Sequence, residues 1–194
     1  MASAYTGRRT FAELLADRKG QLDKAHYSEQ VAAIVAALTG AFRNGNKVLW
    51  FGNGGSAADA QHLAAEFSGR FLRERGALPS EALTVNTSAV TAIANDFGYE
   101  QLFSRMVEAL AKPGDVVVGI TTSGTSKNVV RGLEAAKKIG ATAVAFTGNG
   151  GGTVADVADL ILLGPDGYSA IVQEVHITMG HIICDLVEQE LLFA

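Results

Sequence analysis

The sequence predicts an α/β fold, a three-layer αβα domain whose mainly parallel five-stranded sheet lies among long N- and C-terminal helices. Three observations carry that expectation. Short apolar runs of strand length recur along the chain, helical periodicities separate most of them, and two of the runs lead into turn-rich loops that open helices. At 194 residues and 48% hydrophobic composition, the chain is sized for one domain with a two-sided core. A single domain is expected over 1–194, with an N-terminal helical segment at about 8–44.

The elements follow in order. Phe11, Leu14, Leu15, Arg18 and Leu22 recur at helical spacing, and after a restart near Ser28 so do Val31, Ile34, Val35, Leu38 and Phe42. Strands are expected at about 47–51, 82–85, 115–120, 142–147 and 159–163. From about Ser169 to Leu192 the pattern is one long helix. Its broad apolar face, with Ile171, Val175, Met179, Ile182, Ile183, Leu186 and Leu191, suggests subunit packing.

Charge and cysteine content narrow the function. The net charge is −4, from 16 basic and 20 acidic residues without a basic block, which argues against nucleic acid or an anionic membrane as the main partner. Cys184 is the lone cysteine, so neither a disulfide framework nor a cysteine-based zinc site is available, and a reducing cytoplasm fits. The N-terminus is polar, and no apolar run approaches ~18 residues, so neither a signal peptide nor a membrane span is expected.

Two loops point to an anion. Lys47 to Phe51 reads as a strand, after which Gly52, Asn53, Gly54 and Gly55 permit a tight turn with close backbone approach. Ser56 and Asp59 fit an S-x-x-D cap, so a helix is expected to start at Ser56 with its positive dipole end facing the loop. Alone, this turn is equally an ordinary well-capped βα turn, and its spacing is neither a dinucleotide fingerprint nor a P-loop. A second loop sharpens the case. Thr121, Thr122, Ser123, Thr125 and Ser126 place five hydroxyls in six residues between a buried strand and a helix from about Lys127 to Ile139. Hydroxyls joined to free helix-start N–H groups can surround phosphate oxygens, which suits a sugar phosphate. Lys127, in the first helical turn, would favour an anion nearby.

The chemistry begins with His62, Glu66 and Arg70, which follow one another at intervals of four and are expected on one stripe of the helix after the glycine turn. A His–Glu pair at that spacing can share a zinc ion, or the carboxylate can act as general base. Spacing alone favours a plainer reading, a surface hydrogen bond with Arg70 closing a salt-bridge ladder. The last helix changes that weighing. Gln173, Glu174, His176 and His181 interrupt its apolar pattern, and burying them without partners would cost ~1–3 kcal/mol each.

The segments GNGGSAADAQH with Glu66, NDFGYEQLFSR, ITTSGTS and QEVHITMGH resemble, in this order, those of the bacterial sedoheptulose-7-phosphate isomerases of the SIS (sugar isomerase) fold group. The resemblance runs from about residue 40 to the end. It implies an aldose–ketose isomerisation of sedoheptulose 7-phosphate to a glycero-manno-heptose 7-phosphate, the first step toward nucleotide-activated heptoses. It further implies a homotetramer with active sites at subunit interfaces. By motif position, His62, Glu66, Gln173 and His181 would bind zinc, with Glu66 and His181 also placed for proton transfer. Ser56, Thr121, Thr122, Ser123 and Ser126 would hold phosphate against the Gly54–Gly55 turn. Asn53, Arg70 and Asp96 would contact the sugar or order its surroundings.

Gln173 and His181 are eight residues apart, about 12 Å of helical rise, near the limit for meeting at one ion. His176 is the competing ligand by spacing, and the resemblance assigns it to packing or an interface instead. Asn86, Thr121, Thr125 and the stretch 166–170 depart from the common family pattern, which bears on recognition of the sugar hydroxyls. Alternatives are a non-catalytic phosphosugar-binding SIS regulator, of the kind that binds a replication initiator, and an isomerase of another ketose phosphate. Non-catalytic relatives tend to lose the carboxylate or histidine that Glu66 and His181 retain here.

Overall fold

The apolar runs pair into one sheet. In the computed structural model, which describes residues 8–24 and 26–193, β1 (Val48–Gly52), β2 (Ser80–Ala82), β3 (Val116–Thr121), β4 (Thr142–Thr147) and β5 (Leu160–Leu163) lie in the order β2-β1-β3-β4-β5. All four pairings are parallel, so the sheet is wholly rather than mainly parallel. The expected span 1–194 includes residues 1–7, 25 and 194, which lie outside the described residues.

Side chains alternate across the sheet and define two cores. Val48, Trp50, Ile120, Val144, Phe146 and Leu162 face α2 (His26–Arg43), α3 (Gly55–Ser68) and α7 (Ser169–Phe193). Leu49, Phe51, Val117, Ala143 and Ala145 face the opposite layer, built from α5 (Leu102–Leu110) and α6 (Lys127–Ile139). Helix α4 (Thr87–Phe97), capped by the Asn86 side chain, packs Ala89, Val90 and Ile93 against this second core but contributes no fully buried residue. The N-terminal helix α1 (Phe11–Leu22) opens with a Thr10–Glu13 capping box and likewise buries nothing fully. It reaches the domain through Arg18, which donates to Glu174 and to the Tyr168 hydroxyl.

Two expectations shift. The second strand forms at 80–82 rather than 82–85, because after Leu83 donates to the Trp50 carbonyl the chain turns toward the Asn86 cap of α4. Helix α7 is, by length and composition, apolar enough to cross a membrane, a feature the run-length criterion missed. Half of its most apolar stretch is buried inside the domain, and it packs against α2 and α3 as a core helix.

The strand order reverses direction between β1 and β3, and their carboxyl ends open a crevice there. Both turn-rich loops emerge at that point. The opposite end of the sheet is tied by Asp115, almost fully buried, which accepts from the Lys47 and Lys112 backbone and from the Asn46 amide and Lys47 ammonium groups. Replacing Asp115 by Ala orphans these donors, and urea denaturation is expected to show a loss of about 2–4 kcal/mol without a change in the denaturant slope.

Candidate active site

The glycine turn works through its lack of side chains. Gly54 caps α3 at φ 57° and ψ −121°, a conformation open to glycine, and a Cβ on Gly55 would fall 2.6 Å from the Gln173 amide nitrogen. The expected Ser56–Asp59 cap does not form: the helix begins one residue earlier, no side chain caps it, and Ser56 sits buried inside the first turn. Asn53 is braced across the crevice. Its amide and that of Asn128 exchange hydrogen bonds of 2.9 Å in both directions, and the Tyr99 hydroxyl donates to Asn53 Oδ1 at 2.8 Å.

Across from the turn, the loop after β3 supplies the hydroxyls. Together they enclose a cavity of about 290 Å³ lined by Asn53, Gly54, Gly55, Ser56, Ile120, Thr121, Thr122, Ser126, Ser169 and Gln173. Thr121 Oγ1 lies 3.0 Å from Ser126 Oγ, while Ser123 stands at the exposed rim and accepts the Thr125 N–H at 3.2 Å. Ser169 is a lining residue that the sequence did not single out. It was legible only as the start of the last helix, yet Thr122 Oγ1 donates to its hydroxyl at 3.1 Å, so the N-termini of α3, α6 and α7 converge on one cup. Lys127 turns away to pair with Glu100 at 3.0 Å.

The reactive side chains lie farther along α3 and α7. His62 Nε2 is 2.9 Å from His181 Nε2 and 3.2 Å from Glu66 Oε1, and one ligand atom from each of the three residues lies within 4.8 Å of the others. Phe71 stacks on the His181 ring at 5.5 Å with a 21° interplanar angle. Two imidazole nitrogens at this separation share either a proton or an ion. The donor set fits zinc, because two histidines and a glutamate with one side open to solvent are a known catalytic ligand set. Gln173 lies in the wall of the cup, against Gly55.

Arg70 does not extend the stripe. Helix α3 ends at Ser68, the chain turns at Gly69, and Arg70 pairs outside the helix with Glu74 at 3.3 Å. Asp96 lies on the exposed side of α4, accepting from the Asn95 amide at 2.8 Å, and does not line the cavity. His176 is a core residue. Fully buried, it donates from Nε2 to the Thr147 carbonyl at 3.0 Å and leaves Nδ1 without a partner. Burial holds its pKa down at about 4, so it stays neutral.

The sequence matches the SIS domain family over residues 12–148. It is 54% identical over 163 residues to a phosphoheptose isomerase of Aquifex aeolicus (strain VF5), covering 84% of this chain and 85% of that one. A probable phosphoheptose isomerase of Thermoplasma acidophilum is 53% identical over 162 residues, covering 84% and 89%. The chain belongs to the SIS-domain phosphoheptose isomerase family. Among solved structures, phosphoheptose isomerase GmhA from Neisseria gonorrhoeae superposes with a TM-score of 0.84 at 38% identity, over 93% of this chain and 100% of that one. One from Francisella tularensis gives 0.85 at 30% identity, over 94% and 100%.

Two outcomes follow from the histidines and Asp59. His176→Ala is expected to lose about 2–4 kcal/mol of stability in chemical denaturation and, if the His62, Glu66 and His181 group holds zinc, to take up as much of it as the wild type, whereas His181→Ala stays folded and takes up less in a metal assay. A zinc-poor His176→Ala beside a zinc-replete His181→Ala reverses that assignment. Asp59 has one buried oxygen without a partner, and burial pushes its carboxyl up from 3.8 to about 6 against the pull of His62. Its folded pKa is the higher one, so its contribution is whole below pH 3.8 and is lost as pH rises through about 6. His176 acts oppositely, its contribution being whole above 6.5 and lost as pH falls toward about 4. Asp59→Asn therefore uncovers the histidine slope. Between pH 4.5 and 7 it should gain about 1–2 kcal/mol on the wild type in denaturation series, after allowance for partial hydration.

Proposed function

We propose that the chain isomerises sedoheptulose 7-phosphate to a glycero-manno-heptose 7-phosphate through an enediol. The observation that carries this reading is the convergence of His62, Glu66 and His181 on the helix pair that also builds the hydroxyl cup. From Ser56 to His62 the helix rises about 9 Å. Five carbon–carbon bonds of ~1.5 Å and a phosphoester separate the ketone of the substrate from its phosphorus, a comparable span.

Phosphate in the cup anchors the far end, with Ser56, Thr121, Thr122, Ser126 and Ser169 as donors beside three helix N-termini. Glu66 then takes a proton from C1, the C–H electrons form the C1–C2 double bond, and the ketone oxygen gains a proton. Returning the carbon-bound proton to C2 while the O1 proton leaves yields the aldose. His181 is placed to move the hydroxyl proton. A zinc ion held by His62, Glu66 and His181 would supply Lewis-acid polarisation of the substrate oxygen, and Gln173, seated in the cup wall against Gly55, would have to turn out of it to join them. Glu66 reconciles ligation with base chemistry through its two oxygens: Oε1 faces His62, and the second oxygen takes the proton.

The reading includes a cytoplasmic homotetramer with active sites at its interfaces. Exposed Phe11, Val85, Phe97, Tyr99 and Ile182 support it as apolar surface for subunit packing, and Arg70 and Asp96 would reach the sugar from such an interface.

The test is proton exchange. With zinc and sedoheptulose 7-phosphate in deuterated water, the wild type should incorporate deuterium by NMR and Glu66→Gln should be slower by about 10²–10⁴-fold. A zinc-replete wild type without exchange sinks the reading. Ser126→Ala and Ser169→Ala should each cut kcat/KM by about 10–100-fold, through a lower kcat and a higher KM, since each removes a donor to a charged phosphate.

A further inference from the structure

Seven residues beyond His181 on α7 lies a carboxylate with no part in the chemistry above. Glu188 is fully buried, and its two oxygens accept four donors: the N–H groups of Phe71 at 2.9 Å, Leu72 at 3.0 Å and Arg73 at 3.0 Å, and Arg75 Nε at 3.0 Å. Arg75, with its side chain almost as enclosed, directs most of its remaining donors to the end of α3, apart from an Nη1 contact of 3.0 Å to the Gly76 carbonyl. Its Nη2 donates to the Glu66 carbonyl at 2.7 Å, and its Nη1 donates to the carbonyls of Phe67 at 2.8 Å and Gly69 at 3.2 Å. The guanidinium thus sits at the negative end of the α3 dipole, satisfying carbonyls the helix leaves open.

We propose that Arg75 and Glu188 form a clamp that positions the His62, Glu66 and His181 group, by joining the helix that carries Glu66 to the helix that carries His181. Two routes run through it. One passes from Glu188 through Arg75 to the backbone of Glu66 itself. The other passes from Glu188 to the backbone of Phe71, whose ring stacks on His181 and fixes that imidazole's plane. A second contact fixes the helix pair nearer the site: a Cβ on Gly180 would lie 2.7 Å from Leu63, so the helices touch backbone to side chain beside both histidines. Contact and clamp together define how far apart the two helices lie and how they tilt. A buried ion pair adds little net stability compared with apolar packing, so geometry is the more telling reason for this one. Burial would raise the Glu188 carboxyl, but the three N–H groups and Arg75 outweigh it and hold the pKa below its ordinary value.

The inference rests on the isomerase reading, and the test separates the two. Arg75→Lys keeps the charge without the fork, and Glu188→Gln keeps the shape with one acceptor fewer. Zinc affinity is measured by competition titration, and cobalt absorption reports ligand geometry, both without substrate. Both variants should bind zinc 10–100-fold more weakly, with an altered cobalt spectrum. With sedoheptulose 7-phosphate, kcat should fall by a similar factor while KM, set by the distant phosphate cup, stays within about threefold. Wild-type metal affinity and cobalt spectrum in either folded variant overturn the proposal. If neither variant folds, Phe71→Leu decides: it leaves the ion pair intact, and an unchanged zinc affinity there overturns the clamp. Failure of the isomerase reading would show differently, as a wild type that binds zinc and does not turn over the substrate.

Discussion

The close packing of α3 on α7 is the constraint on which the site depends. Leu63 and Gly180 touch where no Cβ could fit, and their sequence neighbours are His62 and His181. Side chains from two helices can meet at one point only if the axes lie close and hold their angle. Gly55 serves the same purpose at the other end of α3, where the absence of a side chain lets the Gln173 amide rest against the helix start. One helix thereby touches the hydroxyl-lined cup and the His62–Glu66–His181 group alike, and α7 accompanies it along the whole distance. Each end of the helix pair has its own close contact, Leu63 on Gly180 beside the histidines and Gly55 on Gln173 at the cup.

Polar groups buried in this region each have a distinct physical role. His176 ties α7 to the end of β4 through the Thr147 carbonyl, and its low pKa keeps a charge out of the core. Glu188 remains ionised because four donors compensate its loss of water. Asp59 lacks such compensation, and its raised pKa registers the cost on the same helix that presents His62. Local destabilisation beside reactive groups is a common property of functional sites.

Much of the architecture was legible in the chain because parallel strands buried on both faces read as short continuous apolar runs. The runs at 115–120 and 142–147 lie within a residue of the observed strands, and the helix from Lys127 to Ile139 has the expected bounds. Errors fell where local pattern competes with tertiary contact. Ser56 has the chemistry of a cap, but the turn geometry at Gly54 starts the helix early and draws that hydroxyl into the cup wall. Arg70 has helical spacing from Glu66, but Gly69 ends the helix, and Arg75 rather than Arg70 satisfies its terminal carbonyls. Periodicity cannot register a helix end held by a side chain from beyond the turn.

By itself the sequence determined the αβα class, both turn-rich loops that line the cup and the types of side chain brought together beside it, since these are written in short segments with their own periodicity and turn chemistry. Its ordered motifs also pointed to the phosphoheptose isomerase family. Only the tertiary structure decided which polar residues of the last helix meet α3. His176 and His181 are five residues apart on one helix, so they face different directions, one into the sheet and one toward His62. The inclusion of Ser169 in the cup and the bond between Glu188 and Arg75 were likewise settled in space. Each joins segments more than forty residues apart through side chains whose partners no local pattern specifies.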